Sequence, residues 1–429
     1  MGLGDKKTVQ LEEQSYGYIA IMIVQMVVVI VTAVQVNSQL CPSVCQCDSN
    51  EAKCTNLFSD VTNMTQETFH SALRILRVTG RTRLEVEEDL FLRWNITSLT
   101  KIYLPYNQIT KIWQRAFYSL ADLQYLYLDV NRITTLDSQT FYYNTRLIQL
   151  SLSRNSITDI HPSTFQENIK LERIIVDSNK IISLHPDLFK NNVELNSVNF
   201  KGNSITDIHP STFRNNRRVY FVNLSGNKII SIDPESFSEN RNLQIVQLEN
   251  NSISDVHPSA FRNNSRLRHL DISRNKISSL NPDTFIHNNN LRVLNLQENN
   301  IIEISNSSFR GLEELEILDL SNNNIEELNP ITFHNILTST NRQNNQPSNL
   351  KHVNLAQNMI RSFNFELYFP MNSNSDTPNP TFKLQYLNLS SNRLTTLDVA
   401  SVNWLNQTTA VTDLTANPWN CDCSVLLEV

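Results

Sequence analysis

One asparagine recurs every 24 residues without a slip: Asn107, Asn131, Asn155, Asn179, Asn203, Asn227, Asn251, Asn275, Asn299 and Asn323. Two further copies follow after longer gaps, at Asn358 and Asn392. Around each lies one pattern, as in Leu147-x-x-Leu150-x-Leu152-x-x-Asn155-x-Ile157-x-x-Ile160. A phenylalanine falls ten residues after each regular asparagine, from Phe117 to Phe333. Such a period implies a stacked array, because one short unit cannot bury its own apolar face. The Leu-x-Leu alternation reads as a short strand with one buried face. Neighbouring units then pair their strands into a parallel sheet. Asparagine carries a donor and an acceptor on one side chain. Buried at the bend after the strand, it satisfies backbone groups of adjacent turns and forms a ladder. The phenylalanines stack on the returning side.

This pattern resembles the leucine-rich repeat, in the form found in extracellular animal proteins of the Toll-like, Slit-like and chaoptin-like kind, over roughly residues 41–423. The resemblance implies an α/β-type solenoid, a horseshoe. Its parallel β-sheet would line the concave face, with loops and short 3-10 or helical turns on the convex face. The expected organisation is a leader over 1–38, an N-terminal cysteine cap over 39–72, repeats over 73–416 and an incomplete C-terminal cap over 417–429. The repeats comprise about twelve regular units after a degenerate first one, in which Arg81 stands at the asparagine position. Polar, proline-bearing insertions lengthen two late units at 337–349 and 369–381 and read as surface loops.

The six cysteines sit at the two ends of a long cysteine-free body, which suits disulfide caps in an oxidising compartment. Cys41, Cys45, Cys47 and Cys54 allow three connectivities, and four clustered cysteines are also a zinc donor set. By resemblance to the N-terminal cap, Cys41 pairs with Cys47 and Cys45 with Cys54. Cys421 and Cys423 resemble the opening of a C-terminal cap whose two later cysteines do not occur before Val429. They are expected to be unpaired, in a fragment, a truncated sequence or a short isoform. The apolar run Ile19–Val36 follows Lys6 and Lys7 and ends at a small-residue site, which reads as a secretory signal peptide. An uncleaved signal anchor is the alternative. Either places the repeats outside the cytosol, secreted or at the cell surface. Sequons at Asn63, Asn95, Asn223, Asn250, Asn263, Asn306, Asn388 and Asn406 would then be glycosylation acceptors.

Acidic residues outnumber basic ones, 42 to 36, which argues against a nucleic-acid-binding surface. With 7 glycines, phosphate-cradling loops are not expected. No hydrolase, zincin or P-loop motif occurs, so the chain is read as a non-enzyme without cofactor or metal. His161, His185, His209 and His257 occupy one repeat position, where the unit wants a polar residue before a turn proline. Function is therefore sought on the concave face, where polar strand positions stack in columns. Tyr103, Tyr106, Tyr125 and Tyr127, with Arg154 and Arg173, form the candidate contact surface for a protein ligand or cell-surface partner. Asn223 and Asn388 are expected to point into that face from exposed strand positions. The leading reading is the ectodomain of a receptor or adhesion protein, with membrane attachment through a missing C-terminal region or an uncleaved anchor. The alternative is a soluble carrier, inhibitor or innate-immune factor.

Overall fold

The computed structural model describes residues 41–55, 69–80, 84–329, 331–337, 348–369, 371–372, 379–380 and 383–420. The leader over 1–38, Asn63, Arg81, most of both insertions, Cys421 and Cys423 lie outside the described residues. One 16-stranded sheet runs through the protein in chain order. It opens with Cys45–Cys47 antiparallel to Glu51–Thr55, and every later strand is parallel to its predecessor. Regular strands are three residues long and pair in register with the strand 24 residues on, as Val198 does with Val222. The centre residue of each is buried, so the Leu-x-Leu alternation sets which face is core. The architecture is the expected repeat solenoid. Its convex side is built mainly from hydrogen-bonded turns. Helices among the described residues are confined to irregular units: Leu90–Arg93, Ile331–Leu337, Phe365–Tyr368 and Val399–Gln407.

The asparagine ladder forms as expected. Asn155 donates from Nδ2 to Leu128 O and Leu152 O, both at 3.0 Å, while its Oδ1 accepts from Ile133 N–H at 3.0 Å. Each rung thus ties its own turn to the previous one, with few of its polar atoms left over. Asn417, assigned from sequence to the C-terminal cap, makes the same bonds to Leu389 O, Leu414 O and Leu394 N–H. It is a further rung. The residue before each rung is left-handed, from Tyr106 (φ 61°) through Arg154 (φ 53°) and Gly226 (φ 66°) to Ala416 (φ 54°). Two of these are glycine, which takes that conformation without a steric cost.

The phenylalanine spine also forms. Rings stack at 5.7 to 6.3 Å from Phe91 through Phe117 to Phe261, and Phe309 stacks on Phe333 at 6.4 Å. Phe69 and Trp94 extend it at one end, and Phe369 and Trp404 at the other. Beside it runs a second asparagine column, Asn144, Asn168, Asn192, Asn216, Asn240, Asn264 and Asn288. All but Asn144 are legible in the sequence as the recurring ends of closely similar units, but their burial is not. Asn168 donates to Phe141 O and Asn144 O at 3.0 and 2.9 Å. The same 24-residue period was its signal.

At the N-terminal end the disulfides are Cys41–Cys47 and Cys45–Cys54. They hold the antiparallel hairpin that covers the first edge of the parallel sheet, an edge otherwise open to strand addition.

Candidate partner-binding surface

The concave strand positions form continuous columns because the strands are in register. In one column Arg77, Tyr103, Tyr127 and Ser151 are successive neighbours. Tyr103 and Tyr127 stack with ring centroids 4.5 Å apart and planes 3° from parallel. The Arg77 guanidinium lies 3.7 Å from the Tyr103 centroid and pairs with Glu51 of the cap hairpin. In the adjacent column the Lys101 ammonium sits 4.9 Å from the Tyr125 centroid. Stacking and cation–π contact hold these side chains in place before any partner arrives. Tyr103, Tyr125 and Tyr127 are half-buried, and Tyr106 is 60% exposed at the rim. Burial, and after it the neighbouring Tyr103, hold the Tyr127 phenol above its ordinary pKa. Arg154 and Arg173 are exposed on the same half of the face.

The structure therefore brings Tyr103, Tyr125 and Tyr127 together. Arg173 lies two strands from Tyr125 in the same column, and among the described residues no ring or ion-pair contact joins Tyr106 or Arg154 to the three rings. Arg77 completes the cluster and was missed, because its unit is degenerate and only register shows that it stacks on Tyr103. A second aromatic group, also unforeseen, lies away from these strands. Arg115 sits 5.3 Å from the ring centroids of both Tyr118 and Tyr143, Tyr143 touches Tyr142, and Lys111 covers Trp113.

The Glu51 carboxyl is held below its ordinary pKa, first by the Arg77 hydrogen bond. A lowered pKa in the fold gives stability that is present above the ordinary carboxylate range and is lost as pH falls through the lowered value. Glu51→Gln should therefore lower cap stability at neutral pH and have no effect in strong acid. Thermal melts of both forms across that range check this. An unchanged gap at low pH would refute the pairing.

The sequons divide the face, though not as expected. Asn223 is 8% exposed, with its Oδ1 accepting from Ser225 N–H at 3.0 Å. It lies in register between Asn199 and Gln247, and its side chain folds back on its own chain. This corrects the reading of Asn223 as an exposed acceptor. Asn388 is half-buried, while Asn95, Asn250, Asn263, Asn306 and Asn406 are exposed. Glycopeptide mass spectrometry of the chain expressed through a secretory pathway should find Asn223 bare and Asn250 occupied. A sugar found on Asn223 would contradict its packing between Asn199 and Gln247.

The four histidines have a local structural role. Each Nδ1 accepts the backbone N–H two residues on, at 3.1 Å, as Asp233 does through its carboxylate. Among the described residues no group of three His, Cys, Asp or Glu is placed to hold a metal. No described helix is long and apolar enough to cross a membrane.

The BspA type leucine rich repeat region matches residues 85–220, and other leucine rich repeat profiles match 241–301, 289–339 and 383–405. The chain belongs to the leucine-rich repeat proteins. Its fold is similar to that in the Toll–Spatzle complex from Drosophila, with a TM-score of 0.67 and 20% identity over 82% of this chain and 46% of that one. The TLR13–ssRNA13 complex gives a TM-score of 0.62 and 24% identity over 83% and 52%. A leucine-rich repeat protein of Leptospira interrogans gives 0.60 and 19% over 87% and 96%. This repeat protein spans about half the length of the Toll and TLR13 chains. A comparison with curated proteins finds no match. At these identities the likeness is one of fold.

Proposed function

We propose that this leucine-rich repeat protein is an extracellular recognition protein that binds a protein partner with the N-terminal half of its concave face. The observation that carries this is the preorganised Arg77–Tyr103–Tyr127 stack beside Lys101–Tyr125. Rigid aromatic side chains offer large contact area at low ordering cost, the usual make-up of an interface hot spot. The sequons agree, since among the described residues none falls on the strands or following bends between Glu51 and Gly202, whereas Asn250 and Asn388 lie further along. The cap disulfides and the Toll-type likeness support an extracellular setting, and the Toll–Spatzle complex shows such a fold engaging a protein. A receptor or adhesion ectodomain and a soluble binder would use the same face.

The test is a screen of the purified chain against arrayed extracellular proteins, followed by interferometry on each hit. Tyr103→Ser with Tyr127→Ser should weaken binding about a thousandfold, since hot-spot aromatics are each worth about 2 kcal/mol. Tyr142→Ser with Tyr143→Ser should leave it unchanged. The reverse pattern would transfer the site to the second aromatic group.

A further inference from the structure

The concave face is electrically two-sided. Its N-terminal half carries Lys53, Arg77, Lys101, Arg154, Arg173 and Lys201 against Glu51, Asp129 and Asp177. Glu51 is already engaged by Arg77 and Lys53, and Asp129 and Asp177 accept hydrogen bonds from Ser151 and Ser153. Arg154, Arg173 and Lys201 are exposed, and among the described residues no carboxylate lies within ion-pair distance of them. The C-terminal half reverses the sign. Glu249, Asp271, Glu298, Asp319 and Asp413 stand against Arg274, whose guanidinium is shared between Glu249 and Glu298 at 3.3 and 3.1 Å. Asp271 and Asp319 are pinned by amide donors, Asn295 and Asn354, at 3.2 and 3.1 Å. Between the halves lie Ser197, Gly202, Ser225 and Gly226, which carry no charge.

We infer that the N-terminal half takes an extended acidic segment of the partner protein, and that the C-terminal half repels it and so sets where it stops. This rests on the proposed function and names the chemistry of its partner. Lys101, Tyr125, Gln149 and Arg173 are in register on successive strands. Lys101 and Arg173 therefore lie about 14 Å apart, the length of about four residues of extended chain. Extended side chains alternate sides, so two carboxylates four residues apart both reach this face. Opposite charge steers such a segment in and like charge rejects a shifted register. A single-stranded nucleic acid fits less well. Tyr103 has Arg77 on one ring and Tyr127 against it, and Lys101 lies on Tyr125, so these rings are engaged where bases would stack.

The experiment is surface plasmon resonance on the immobilised full chain, with poly-L-glutamate, poly-L-lysine and a single-stranded RNA oligonucleotide as probes. Poly-L-glutamate should bind, and more weakly as salt is raised. Arg154→Glu/Arg173→Glu/Lys201→Glu should weaken it at least tenfold. Arg132→Glu/Lys180→Glu/Lys228→Glu, the same charge change on exposed positions just past the asparagine ladder, should weaken it less than threefold. Thermal melts confirm that both variants are folded. Equal loss in the two triples would show general charge attraction and overturn the inference. So would tighter binding of the RNA that is lost in the first triple, or no effect of that triple. If poly-L-glutamate is insensitive to the first triple while partner binding still needs Tyr103 and Tyr127, the acidic-segment inference fails and the proposed site stands.

Discussion

Asn203→Ala should cost about 3 to 5 kcal/mol of stability, a loss at the upper end for a single substitution. Asn203 sits mid-array, 8% exposed, donating to Val176 O and Phe200 O at 3.0 Å and accepting from Ile181 N–H at 3.0 Å. Alanine leaves an N–H and the carbonyls of two turns without these partners in a place water does not reach. Most of that loss falls on the interface between neighbouring units, because the bonds to Val176 and Ile181 cross it. In an array held by nearest-neighbour coupling, weakening one interface also weakens cooperativity. Urea unfolding followed by circular dichroism should show a lower midpoint and a broadened or two-step transition. Asn203→Asp should be about as harmful, since it keeps an acceptor but turns it toward carbonyl oxygens. A single unshifted transition in either variant would mean that the ladder contributes little.

Phe189→Ala is expected to cost about 3 to 5 kcal/mol, the range for emptying a large buried aromatic site. Its ring is fully buried, stacked 6.1 Å from Phe165 and 5.9 Å from Phe213, with Phe200 edge-on at 6.1 Å. Two rings would each lose a stacked face and Phe200 an edge contact, and the stacked units on either side limit how far the turn can collapse. Phe189→Leu should recover more than half of the loss by refilling the volume. Differential scanning calorimetry of the two variants separates the outcomes. Equal destabilisation by Ala and Leu would point to ring stacking rather than volume. A loss below about 1 kcal/mol with Ala would show that the spine is not close-packed.

The repeats were legible because a buried group that must meet its own copy in the next unit can recur only at the repeat length. That holds for Asn155, for Phe165 and for the strand leucines. The cap pairing followed from likeness, and spacing alone left it open. The second asparagine column shared the period, but its burial was hidden in doublets such as Asn191-Asn192 and Asn215-Asn216, of which only the second residue is buried. No local pattern says which of two adjacent asparagines turns inward. That depends on the carbonyls of Phe165 and Asn168 that Asn192 meets.

Strand alternation puts Tyr103 and Tyr127 on one face, and their 24-residue separation makes them neighbours. Their ring stacking, and the place of Arg77 above them, followed only once the degenerate first unit was seen to pair in register with the strand Lys101–Tyr103. Asn223 shows the converse. Strand alternation assigns its side chain to the solvent side, and it does lie there, but flanking strands and its bond to Ser225 cover it. Periodicity settles which face a residue is on, since that is a property of one chain segment. Exposure, stacking and the division of the face into cationic and anionic halves depend on residues 24 or more positions apart, which only the closed turns of the solenoid bring together.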